Sequence, residues 1–105
     1  MKTKLAVWLT QKKLALDVPQ AMGFLDAIQK DECPQELLEL LEKDLDVRIA
    51  IGSPITREKA LSFLQEKLRT AEKLIAYWEE HPKDTNAIFF LRGYRQYLEE
   101  NQENQ

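Results

Sequence analysis

The stretch TREKALSFLQEKLRTAEKLIAYWEE, Thr56–Glu80, decides the fold. Leu61, Leu64, Leu68, Ala71, Ile75 and Trp78 recur at alternating steps of three and four, which puts all six on one side of an α-helix. A second row, Ala60, Phe63, Leu74 and Tyr77, widens the stripe beyond a coiled-coil seam toward a bundle core. Glu58, Lys59, Glu66, Arg69, Glu72, Lys73 and Glu79 occupy the other side. Such a helix cannot bury its stripe alone, so the remaining segments must pack on it.

Downstream, His81-Pro82 ends this helix, because the residue before a proline is disfavoured in helical geometry. Lys83–Asn86 reads as a loop with Asp84 or Thr85 as N-cap. A last helix follows from about Asn86 to Glu100, with Ala87, Leu91, Tyr94 and Leu98 on one face and Phe90 and Tyr97 beside it. The short loop implies an antiparallel hairpin of these two helices.

Upstream, Pro34 opens a helix that carries Leu37, Leu38, Leu41, Leu45 and Ile49 to a stop at Gly52. Before it, Asp17 and Gln20 have capping-box spacing, with Pro19 tolerated in the first turn of a helix running to about Lys30. Gly23 inside that helix implies a close crossing or a weak segment. Residues 4–16 read as a first helix. Strands over 4–10 and 47–51 are the rival reading, since short apolar runs are not decided by period alone. The architecture expected is therefore all-α. It is a four- to five-helix bundle around the long central helix 56–80, forming one domain over 1–105 with a frayed tail at 101–105. The expected core is Leu5, Trp8, Leu25, Ile28, Leu38, Leu41, Leu45, Leu61, Leu64, Leu68, Ala71, Ile75, Trp78, Leu91, Tyr94 and Leu98.

Composition narrows the function classes. With 44% apolar and 31% charged residues, the chain matches ordinary soluble globular proteins. The longest apolar runs, Leu5–Leu9 and Ala87–Leu91, fall far short of the ~20 residues of a membrane span. The N-terminal run also stops too soon for a signal peptide, so a cytoplasmic location is expected. The single Cys33 excludes an intrachain disulfide and any multi-thiolate metal site. The single His81 excludes a two-histidine zinc site and the paired motifs of di-iron bundles. His81 also lacks the exposed mid-helix setting of a phosphotransfer histidine, because Pro82 follows it. No stretch has the oxygen-ligand spacing of a calcium loop. The reading is of a non-enzymatic protein with no cofactor and no metal.

The net charge of −3 is unevenly spread. Residues 1–16 hold four lysines and no acid, whereas residues 17–46 hold nine acids and two lysines. Glu32, Glu36, Glu39, Glu42 and Asp46 recur at helical spacing, as the wet side of a helix or as a surface for a basic partner. In the last helix, Arg92-Gly93-Tyr94-Arg95-Gln96-Tyr97 combines arginine and tyrosine, a pairing enriched at interfaces. Gly93 in mid-helix calls for close approach of another backbone or a ligand. Arg92, Gly93, Arg95 and Tyr97 are accordingly the candidate partner-binding residues. Cys33, before Pro34 at a helix start, reads as a small boundary residue; the rarer alternative is a thiol whose pKa the helix dipole lowers.

Leu9-Thr10-Gln11-Lys12-Lys13-Leu14-Ala15, followed by Val18-Pro19-Gln20, resembles the helix-turn-helix of the Cro and repressor type. In that family a Leu-Thr-Gln-x-x-Leu-Ala helix precedes a turn and a recognition helix. The resemblance covers about twenty residues and implies a recognition helix over Pro19–Lys30, with Gln20 and Lys30 suited to DNA edges or phosphates. This chain departs from the pattern in its turn, where only Leu16 and Asp17 separate Ala15 from Val18. The neighbouring acidic block also repels phosphate. The leading expectation is a small helical module that binds a protein partner and possibly itself as a homodimer. A DNA-binding regulator is the alternative.

Overall fold

The computed structural model describes residues 1–103, with side chains to Asn101. Six helices and no strand are found among them: α1 (Lys2–Gln11), α2 (Val18–Gln29), α3 (Gln35–Lys43), α4 (Leu45–Ile51), α5 (Arg57–Glu80) and α6 (Thr85–Glu103). Both segments with a rival strand reading are helical. No helix among the described residues is long and apolar enough to cross a membrane.

Short-range signals set most boundaries. Asp17 caps α2 by accepting from Gln20 N at 2.8 Å, and Gln20 Oε1 in turn accepts from Leu16 N at 2.7 Å. Thr56 caps α5 through Lys59 N, and Asp84 rather than Thr85 caps α6, accepting from Asn86 N at 2.9 Å. Gly52 ends α4 with a φ of 89°, a conformation that costs glycine little. The last helix runs past Glu100 to Glu103, and Asn101 Nδ2 donates to the Tyr97 carbonyl at 2.8 Å. Of the tail expected at 101–105, residues 101–103 belong to α6, and 104–105 lie outside the described residues.

One helix end differs from the sequence reading. The first helix ends at Gln11, not near Leu16, in a six-link closure. Leu14 N donates to Leu9 O and Lys13 N to Thr10 O, with Lys13 left-handed at a φ of 62°. The same pattern ends α2: Glu32 N donates to Ala27 O and Asp31 N to Ile28 O, with Asp31 at a φ of 60°. Neither left-handed position is glycine; the end of α1 does not announce itself in the sequence, whereas α2 ends where expected, near Lys30. The closure after α1 turns Leu14 and Ala15 back into the core, where both are 4% exposed.

The segment 34–51 is two helices, not one. Asp44 adopts an extended ψ of 116° and its carboxylate accepts from Val47 N at 3.1 Å, starting α4. The break resets the helical phase. Val47 turns inward, and Leu45, expected in the core, is 60% exposed.

The long α5, about 36 Å at 1.5 Å per residue, packs against each of the other five helices. The deepest helix is α1, which packs on α2, α5 and α6 and buries five consecutive residues, Leu5–Leu9. At 100° per residue, five in a row cover the whole circumference, so α1 has no wet face along that length. The α5 stripe is narrower than expected. Leu64, Ala71 and Ile75 are buried, Leu61 and Leu68 are half-buried, and Leu74 and Tyr77 are exposed. Leu91 and Tyr94 of α6 are half-buried and Leu98 is exposed. Trp78 and Phe90 instead join α5 to α6, ring centroids 5.4 Å apart. Two ion pairs fasten α1 to its neighbours, Lys2 to Asp26 of α2 and Lys4 to Glu79 of α5.

Candidate functional site

The four residues singled out on the last helix are divided by the structure. Gly93 and Tyr97, one turn apart, line a cleft of about 440 Å³ between α6 and the α1–α2 connection. Val7, Thr10 and Gln11 of α1 and Leu16, Val18 and Pro19 around the start of α2 also line it. Arg92 and Arg95 are exposed and do not line it. At Gly93 the expected close approach of another backbone or a ligand is not what is found; the neighbour is a side chain, and a methyl group there would run into the Gln11 amide. Gly23 has no such neighbour. Its position is open, so it marks no helix crossing.

The second apolar feature was not legible in the periodicity. On α4, Val47 and Ile51 point inward, one turn apart. Leu45 and Ile49 lie about opposite them and are 60% and 73% exposed. Asp46 flanks this pair on one side and Arg48 on the other. Asp44 and Asp46, acids at the start of a new helix, were the local signal for the break. Continuous periodicity through Leu41, Leu45 and Ile49 masked it. Joined to α4 at Asp44 and in contact with it is α3, whose exposed residues include Glu36, Glu39 and Glu42.

The sparse titratable groups are held structurally. Cys33 is buried, and burial pushes its thiol above the ordinary value, with Arg57 pulling more weakly the other way. The thiol pKa is thus raised, not lowered, and desolvation of the thiolate is the largest cause. Arg57 itself donates to the Cys33 carbonyl at 2.9 Å and to Gln35 Oε1 at 2.6 Å, tying the starts of α5 and α3. His81 stacks on Tyr77 at 4.1 Å, with Nδ1 3.0 Å from the Tyr77 carbonyl oxygen. Among the described residues no group of three or more His, Cys, Asp or Glu converges as a metal site would require.

The segment resembling a helix-turn-helix departs from it in three dimensions too. Residues 9–15 do not form one helix, since α1 stops at Gln11 and Leu14 and Ala15 belong to the connection. Along α2 the exposed residues are Pro19, Gly23, Asp26 and Gln29, with Asp26 engaged by Lys2. Lys30, at the C-cap, is the one cation that this outward side brings. Comparison of the chain with family models, curated proteins and solved structures finds no match.

Proposed function

We propose that this chain is a non-enzymatic protein-interaction module that docks its partner on the outward face of α4, beside α3. The observation that carries the reading is the exposure of Leu45 and Ile49 on a seven-residue helix that already buries Val47. Full burial of a leucine or isoleucine side chain contributes roughly 1.5–3 kcal/mol. Two such anchors, side by side at positions i and i+4, form a small docking centre with a charged rim. The acidic surroundings favour a protein over a nucleic acid.

The test is capture from a native extract with the tagged chain, run beside the Leu45→Asp, Ile49→Asp double variant, with half of each sample nuclease-treated. The expected result is a stoichiometric protein that survives nuclease on the wild type and is absent from the variant, whose far-UV helicity is unchanged. Equal capture by both chains would remove α4 as the docking face. Nucleic acid lost on nuclease treatment, with no protein left, would favour the DNA-binding reading instead.

A second reading, self-association, draws on a different surface. Leu74 and Tyr77 of α5 are 39% and 48% exposed, and a homodimer would cover them. A monomeric mass at micromolar concentration in sedimentation equilibrium would eliminate it.

A further inference from the structure

We infer that the partner segment which docks on the α3–α4 face is basic and amphipathic, a helix with lysines or arginines around an aliphatic stripe. This rests on the docking face proposed above and adds the chemistry of what binds there. The argument begins with charge that folding leaves uncancelled. Residues 31–46 hold seven carboxylates and one cation, Lys43. Of the four N-terminal lysines two are engaged elsewhere, Lys2 with Asp26 and Lys4 with Glu79, while Lys12 lines a cleft with Asp44 and Asp46 without forming an ion pair. Among the described residues no ion pair reaches any carboxylate of 31–46.

The contacts these carboxylates do make are with neutral groups. Asp31 accepts from Gln65, Glu36 from Gln20, Glu39 from Gln35, and Asp44 from the Val47 backbone. The side chains of Glu32, Glu42 and Asp46 are exposed and make no hydrogen bond or ion pair among the described residues. Carboxylates thus outnumber cations over α3 and the start of α4, where Lys43, Arg48 and the Arg57 guanidinium at Gln35 are the exposed positive groups. Such an excess of negative charge draws in a positively charged segment and speeds its arrival.

Leu45 and Ile49 then decide what else the partner carries. Anchors spaced four apart on one helix face accept an aliphatic ridge from a second helix. A second copy of this chain is a poor occupant, because it would bring the same carboxylates opposite each other. Nucleic acid and anionic lipid are repelled by the same sign of charge.

The experiment uses the full chain and two synthetic helical peptides read by fluorescence anisotropy. One peptide has leucines on one face and lysines on the other; in its counterpart every lysine is glutamate. The expected result is binding of the lysine peptide alone, weakened about tenfold by Glu36→Gln, Glu39→Gln, Glu42→Gln together. Leu45→Ser, Ile49→Ser should weaken it by a similar factor. A charge-matched control, Glu72→Gln, Glu80→Gln, Glu99→Gln on exposed sites of α5 and α6, should leave binding unchanged. Equal effects of the two glutamine triples, equal binding of both peptides, or no binding of the lysine peptide would each overturn the inference. If the native partner is lost with the α4 variant but kept by the α3 glutamine triple, the docking face stands and its basic partner is refuted. Loss of neither refutes the docking face itself.

Discussion

At Gly23 and Gly93 the same residue type sits in mid-helix for different reasons. Nothing approaches Gly23, so its missing side chain costs helix stability without return. Gly23→Ala should stabilise the protein by about 0.5–1 kcal/mol, read from the midpoint of a urea melt. At Gly93 the same gain is opposed by the Gln11 amide, which must swing away. Gly93→Ala should therefore yield close to nothing alone and recover about 1 kcal/mol in a Gln11→Ala background. Additive effects in that double-mutant cycle would mean that Gln11 does not hold the position. The sequence signalled that Gly93 was crowded, because a mid-helix glycine is costly. It carried the same signal at Gly23, where the implied crossing does not exist. Only the neighbour decides, and the neighbour lies 82 positions away in the chain.

Among the elements, α3 and α4 show how one capping residue redirects a face. Leu37, Leu38, Leu41, Leu45 and Ile49 fit one amphipathic helix, and the first three are buried as that pattern demands. Asp44 then breaks the ladder and starts again. Its carboxylate satisfies Val47 N, and the shift in phase exchanges Val47 for Leu45 as the inward residue. Asp44→Ala should cost about 1 kcal/mol through the lost cap, measured by chemical denaturation at neutral pH. An unchanged midpoint would show that the break is held by packing of α4 on α5, not by the cap. The contrast with α1 is instructive. There apolar residues fail to segregate to one side, a weak pattern on its face. The reason is that α1 is enclosed by α2, α5 and α6 and has no wet side over Leu5–Leu9.

On the scale of the whole molecule, the uneven charge of the sequence becomes a division of labour. The basic N-terminal helix spends Lys2 and Lys4 on internal pairs, and the acidic segment keeps its charge for the surface. The Lys4–Glu79 pair, at 2.6 Å, raises the Lys4 pKa above its ordinary 10.5, chiefly through the hydrogen bond from Lys4 to Glu79. A raised lysine pKa in the folded state means that folding favours the charged form. The pair's contribution is thus complete below pH 10.5 and is lost as pH climbs through the higher folded value. Because both partners remain partly exposed, about 0.5–1 kcal/mol is expected. The stability gap between wild type and Lys4→Met should be constant around neutrality and shrink in alkaline melts above pH 10.5. A gap that persists there would assign the effect to packing of the Lys4 stem.

What the sequence by itself determined is what short-range physics controls. Asp17, Thr56 and Asp84 cap helices because their side chains reach backbone N–H groups three residues or fewer ahead. Pro82 and Gly52 stop helices through their own backbone preferences. The all-helical class follows from these and from the α5 stripe. What only the tertiary structure decided is which apolar residues meet one another. Leu5–Leu9 is enclosed, Leu45 and Ile49 are not, and Phe89 is 68% exposed beside a fully buried Phe90. Burial is set by what arrives from elsewhere in the chain. Periodicity ranks the faces of one helix but does not count the helices that will cover them.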